Sequence, residues 1–187
     1  MGRDVNDRTL LDLFVIDFTD IVKKYCKYAV VSGFVAISHG RTRGTEDIDI
    51  ILEKISKDDF LKLHSNLVSA GFECVQSESS DVIYDTYLSK HDSVRYVKKG
   101  TFVPEMELKL AKDDLDNYQL KTRKKLPLTK LDIYFSSIEM NIAFKEELLK
   151  SDKDIEDARH LRIVYSEDLD EGEIIKIKNM IKMYRLT

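Results

Sequence analysis

Residues 28–54 read YAVVSGFVAISHGRTRGTEDIDIILEK, and the reading of this stretch decides the fold. Two apolar runs flank a polar loop that holds Gly40, Arg41, Arg43 and Gly44, and the second run opens on Asp47-Ile48-Asp49. Side chains at i and i+2 of a strand leave the same face. Asp47 and Asp49 therefore stand side by side, with Ile48, Ile50 and Leu52 on the opposite face. Two carboxylates this close repel, and each resists ionising unless a cation compensates. A divalent ion held by carboxylate oxygens relieves that conflict, and Mg²⁺ usually brings substrate phosphates with it. Upstream, Ser32-Gly33 permits a close approach of backbone to ligand, because glycine has no Cβ. Arg41 and Arg43 between them suit bidentate phosphate contact. The stretch reads as a metal–nucleotide site. The competing reading of a bare Asp-x-Asp is a solvated pair at the start of a half-exposed strand.

The small pair Ser32-Gly33, a spacer, and then Asp47-Ile48-Asp49-Ile50 resemble the signature of the nucleotidyltransferase superfamily, whose fold is that of the DNA polymerase beta catalytic domain. The longer run VSGFVAISHGRTRGTEDIDIIL is similar to the AbiEii-type and minimal nucleotidyltransferases of archaea and bacteria. Serine stands where that signature usually has its first glycine. The resemblance implies an α+β fold: a palm-like mixed sheet flanked by helices, with a C-terminal helical segment. It implies transfer of a nucleoside monophosphate from an NTP, ATP foremost, with Mg²⁺ or Mn²⁺ as cofactor and pyrophosphate leaving. Asp47 and Asp49 would be catalytic and metal-binding, while Ser32, Gly33, Arg41 and Arg43 would bind the nucleotide. The acceptor is open: a small molecule, a tRNA end or a partner protein, and toxin–antitoxin systems use relatives of this kind.

The superfamily commonly sets a third carboxylate beside the Asp-x-Asp pair. Two alternating strands offer one, Glu107 in EMELKLA and Asp132 in KLDIYFS. Glu107 is preferred, because its strand holds the place just before a segment of the LDIYFSSIEMNIAFK type. Its alternative is an exposed strand residue paired with Lys109, on the same face. In the tail, IAFKEELLKSDKDIEDARHL resembles the AbiEii-type element in which a lysine precedes Lys-Asp-x-x-Asp on the next helix, here Lys145, Lys153, Asp154 and Asp157. By that resemblance Lys145 reaches the cleft and binds nucleotide. Independently, a lysine beside Ile142, Phe144 and Leu148 needs an anionic partner, either a triphosphate or Asp154.

At 187 residues the chain suits one domain of moderate size. With 34% charged and 43% hydrophobic residues it is expected to be globular and soluble. The net charge of −4 gives no broad basic field, so duplex DNA is not an expected partner. Cys26 and Cys74 are too few for a disulfide scaffold, nothing at the N-terminus reads as a signal peptide, and no membrane span is expected. A cytoplasmic location fits. The basic run Lys121, Arg123, Lys124 and Lys125 is a solvated face or hairpin loop, or else a contact for an RNA backbone.

Periodicity predicts helices over 9–27 and over SKDDFLKLHSNLVSAGF, with Ser56 as N-cap and Gly71 at the end. YAVVSG reads as a buried strand and FVAIS as a helical turn. Strands are expected at ECVQSE, VIYDTYLS, SVRYVKK, EMELKLA and KLDIYFS, and a turn at SESSD. His64 reads as a packing or surface histidine. From Ser137 the pattern is helical, with a break near Ser151-Asp152, Asp152 as the next N-cap and a last amphipathic helix. This divides the chain into a nucleotidyltransferase core over 1–136 and helices over 137–187 packed on it. A second class of function is a module of the same fold that binds nucleotide without turnover, or acts through a partner.

Overall fold

The computed structural model of the protein describes residues 8–42, 44–45 and 47–186. The first helix, α1 (Leu10–Val22), starts at a reciprocal cap: the Asp12 N–H donates to Thr9 Oγ1 at 3.2 Å, and the Thr9 N–H donates to Asp12 Oδ2 at 2.8 Å. Two of the helix's orphan donors are thereby satisfied. There follow β1 (Tyr28–Val31), the short α2 (Gly33–Ser38), β2 (Asp47–Leu52), α3 (Lys57–Ser69) and β3 (Phe72–Cys74). A single turn α4 (Ser80–Val82) widens through Ile83–Tyr87 before β4 (Val94–Lys98) and β5 (Glu105–Leu110). The chain ends with α5 (Asp114–Lys121), α6 (Ile138–Phe144) and its wide-turn extension Lys145–Leu149, α7 (Asp152–Val164) and α8 (Glu171–Arg185).

The five strands lie in the order β1-β2-β5-β4-β3. β2 and β5 are parallel, and the other neighbours are antiparallel. The alternation expected of β2 and β5 divides the sheet in two. Ile48, Ile50, Leu52, Met106, Leu108 and Leu110 face the main core, where Phe14 and Phe18 of α1 and Phe60 and Leu63 of α3 meet them. Phe18 sets the geometry there, with its ring edge-on to Phe72 (5.1 Å between centroids) and to Tyr96 (5.6 Å). The other face is thinner: Ala29, Val31, Ile51, Ala111 and Leu120 form a small second cluster beneath α5. Ile138, Met140, Leu161, Ile174 and Ile177 of the C-terminal helices belong to the main core. No helix among the described residues is long and apolar enough to cross a membrane.

Most expected elements are present, and three local readings change. VIYDTYLS is helical, because Ile83, Tyr84, Tyr87 and Leu88 fall on one helical face and Ser79 caps the turn through the Val82 N–H. Its aromatic content suggests a strand, but spacing outweighs composition. KLDIYFS keeps its alternation, with Leu131, Ile133 and Phe135 buried and Asp132 exposed. It pairs, however, only through isolated bridges of Phe135 to Val30 and Lys124. Ser151, rather than Asp152, caps α7, accepting from the Asp154 N–H at 3.2 Å. His64 is a packing residue, its Nδ1 2.8 Å from the Tyr96 hydroxyl.

Phe18→Ala is expected to cost about 3–5 kcal/mol in denaturant unfolding, because it empties the junction of three rings. Phe102→Ala, at a side chain 90% exposed, is expected to change stability by less than about 0.5 kcal/mol.

Candidate active site

The parallel register pairs Asp47 with Glu105 and Asp49 with Glu107. Paired residues of a parallel ladder share a face, so four carboxylates form a block on the thin side of the sheet. Across the next ladder Arg95 is opposite Glu107, and its Nε lies 3.4 Å from Glu105 and 3.6 Å from Glu107. Glu107 is therefore the acid beside Asp49, with Arg95 rather than Lys109 as its ion-pair partner. Asp132 lies exposed elsewhere, paired with Lys125 at 2.5 Å. Glu105 was not singled out from sequence, although it follows the same i, i+2 alternation as Glu107.

Asp49 is set deepest against the cleft and carries a shifted carboxyl. Burial first, then the charges of Asp47 and Glu107, push its carboxyl up to about 6, while a hydrogen bond from Ser32 acts in the opposite direction. Asp47 is more exposed, and its Oδ1 accepts from Thr45 at 2.8 Å. Ser32 follows β1 and stands at the N-cap position of α2 with φ 64°, a backbone region that favours glycine. The turn keeps the geometry of a glycine pair despite the serine, and the hydroxyl is spent on Asp49. Gly33 is buried at the first position of α2.

Beside Asp49 and Ser32 opens a cleft of about 190 Å³ between the sheet and the C-terminal helices. Its walls include Lys109 from β5, Gln119 from α5, Asn141 and Phe144 from α6, Lys145, and Arg185 from α8. Lys145 is 1% exposed, with Nζ 3.0 Å from both Asp154 and Asp157. Asp154, one of the two anionic partners expected for it, is thus joined by Asp157 on α7. Arg41 turns the same way, binding Glu156 through Nη2 and lying 3.5 Å from Asp157 through Nε. It braces α7 and does not line the cleft. Arg43 lies outside the described residues. Arg185 is held by Asp113 and, at 2.7 Å, by Asp116.

Ser32, Gly33, Asp47, Asp49 and Glu107 thus gather on adjoining elements, and Lys145 forms part of the same cleft. Sequence reading missed Glu105, Arg95, Gln119 and Arg185 as site residues, since Arg95 reaches the block, and Gln119 and Arg185 reach the cleft, only through tertiary packing. Among the described residues no three His, Cys, Asp or Glu side chains converge closely enough to cage an ion on their own. The donor chemistry nonetheless suits a hard divalent cation: oxygen ligands only, with one of them held protonated to a higher pH than usual by burial and then by its acidic neighbours.

No protein-family model matches the sequence, and no curated protein matches it. Solved structures do. The chain is similar to the antibiotic-resistance factor ANT(2'')-Ia, with a TM-score of 0.54 and 10% identity over 92% of this chain and 91% of that one. It is also similar to an antigenic nucleotidyltransferase-like protein from Paracoccidioides brasiliensis, with a TM-score of 0.51 and 16% identity over 94% and 88% of the two chains. The fold is therefore the α+β nucleotidyltransferase fold, a mixed five-stranded sheet with flanking helices.

The raised Asp49 carboxyl has a sign that can be checked. The folded chain keeps this proton up to about pH 6, whereas the unfolded chain releases it near 3.8, so ionisation opposes folding as pH rises through that window. Asp49→Asn is expected to stabilise the fold by on the order of 1–3 kcal/mol at pH 7.5, with the gain vanishing at pH 3.5. Urea denaturation at both pH values measures it, and equal gains at both would contradict the assignment.

Proposed function

We propose that the protein is a nucleotidyltransferase of the AbiEii-type or minimal kind, moving an NMP from an NTP, ATP foremost, to an acceptor hydroxyl or other nucleophile. The observation that carries this reading is the carboxylate block beside a cleft whose other charged wall residues, Lys109, Lys145 and Arg185, are all cations. An anionic ligand bound through a cation fits both halves of that arrangement. Asp47, Asp49 and Glu107 would hold Mg²⁺ or Mn²⁺, which would supply neutralisation of phosphate charge and activation of the acceptor oxygen. Glu105 and Arg95 would position Glu107. The Ser32-Gly33 turn would offer backbone N–H donors to the phosphates. Lys145, delivered to the cleft wall by Asp154 and Asp157, would lower the cost of charge on the departing pyrophosphate. Arg41, once released from Glu156 and Asp157, and Arg43 would act on the same phosphates. Small molecules, tRNA ends and proteins remain the acceptor classes, and a cytoplasmic toxin–antitoxin setting is consistent with the chemistry.

A second reading has one observation in its favour: Glu107, Lys145 and Arg41 already hold ion pairs within the chain. On that reading the protein binds nucleotide without turning it over, or acts through a partner. Nucleotide binding without pyrophosphate release, whichever acceptor class is supplied, would favour it.

Thermal unfolding with each NTP, with and without Mg²⁺, tests the proposal. Ligand at 100 times its dissociation constant is expected to add about 2.7 kcal/mol, a rise of roughly 5–10 °C for a chain of this size. Asp49→Asn is expected to start from a higher melting temperature and show no Mg²⁺-dependent rise. A full nucleotide response in that variant would remove the metal-site assignment. Glu107→Gln is expected to lower any pyrophosphate release at least about tenfold, with Asp132→Asn silent. The reverse order would mean that the third acid is misassigned.

A further inference from the structure

Lys109, Lys145 and Arg185 all line the cleft, but the three cations are not equivalent. Lys145 is held between Asp154 and Asp157, so its charge is offset within the chain. Arg185 is held in the same way by Asp113 and Asp116. An anion entering the cleft must compete with these carboxylates for either group, and the attraction it gains is reduced accordingly.

Lys109 differs. It follows Glu107 by two residues on β5 and pairs with Ile51 in the β2 ladder, which puts its side chain on the carboxylate face of the sheet. It is half-buried, and it lines the cleft together with Asp49 and Ser32. The alternation on β5 suggests Lys109 as a partner for Glu107, but Arg95 takes that place. Among the described residues no hydrogen bond or ion pair engages the Lys109 ammonium group. Its charge is felt at Asp49, where it opposes the upward push from Asp47 and Glu107. Asp49 is also the single acid among the described lining residues. A partly desolvated ammonium with no fixed partner favours an incoming anion, and its three donors suit the oxygens of a phosphate.

We propose that Lys109 is the cleft residue that grips the phosphates of the nucleotide, holding them beside Asp49 and the Ser32-Gly33 turn, while Lys145 and Arg185 shape the wall. This rests on the nucleotidyltransferase reading above and adds to it a division of labour among the three cations. Lys145 acts on the phosphates only through a field that two carboxylates offset, whereas Lys109 meets them with its charge uncommitted. A lysine ammonium acts here as a point charge, so the contact depends on the phosphates and not on the base attached to them.

Calorimetric titration with ATP and with inorganic tripolyphosphate, each in Mg²⁺, tests this on the wild type, Lys109→Met and Lys109→Arg. Lys109→Met is expected to weaken both ligands by at least about tenfold, the usual worth of one charge-assisted hydrogen bond. Lys109→Arg keeps the charge and is expected to recover most of that loss. The methionine variant breaks no ion pair among the described residues, so without ligand it is expected to unfold close to the wild-type temperature. Unchanged tripolyphosphate affinity in Lys109→Met would overturn the proposal, whatever happens to ATP. An arginine variant no better than the methionine one would also overturn it, since the effect would then be packing and not charge. If both ligands bind Lys109→Met as they bind the wild type but are lost in Asp49→Asn, the nucleotidyltransferase reading stands and the Lys109 assignment falls. If neither ligand binds the wild type, both fall.

Discussion

The parallel ladder between β2 and β5 is the constraint on which the rest of the structure depends. It fixes Asp49 opposite Glu107 and Asp47 opposite Glu105, and a slip of one residue would turn both carboxylates of the shifted strand into the core. The slip is prevented from behind. Ile48, Ile50 and Leu52 on one strand and Met106, Leu108 and Leu110 on the other are at most 4% exposed, so the register is held by apolar burial against α1 and α3. The hydrophobic face of the sheet thus locates the acidic face.

That arrangement places like charges together in a partly buried site, which opposes folding. Three features offset the cost within the chain: the Arg95 guanidinium between Glu105 and Glu107, the Ser32 hydroxyl on Asp49, and a raised carboxyl at Asp49 that remains protonated into mildly acidic conditions. Ser32 itself holds a strained φ of 64° to reach its place. Strain and repulsion gathered at one strand end are what the proposed cation and phosphate site would require, and they are tolerable because the core beneath is dense.

On the far side of the cleft the charge logic is inverted. Lys145 is almost fully buried and takes two carboxylates, Asp154 and Asp157, from the following helix. Removing one member of a buried ion pair strands its partner, at a typical cost of 3–5 kcal/mol. The pair therefore locks the wide turn at Lys145–Leu149 onto α7, and Arg41 extends the lock back to the loop after α2. The cleft is closed on this side by ionic contacts and on the sheet side by apolar packing. Its shape is thereby set before any ligand arrives.

Much of this was legible in the chain before folding was considered. The alternation of DIDIIL and EMELKL determines that acids and hydrophobes part to opposite faces, because the strand period of two admits no other outcome. The Ser-Gly turn before α2 and the helical tail follow from equally local rules. Where local cues competed, sequence reading went astray: VIYDTYLS has strand-like composition but helical spacing, and KLDIYFS has strand alternation but too little partner backbone to form a ladder. Which acid joins Asp49, that Arg95 bridges two glutamates, and that Lys145 meets Asp157 were decided only by tertiary structure. Each depends on the order in which strands pair and helices dock. That order is settled by the burial of the whole apolar surface, not by any short run of residues.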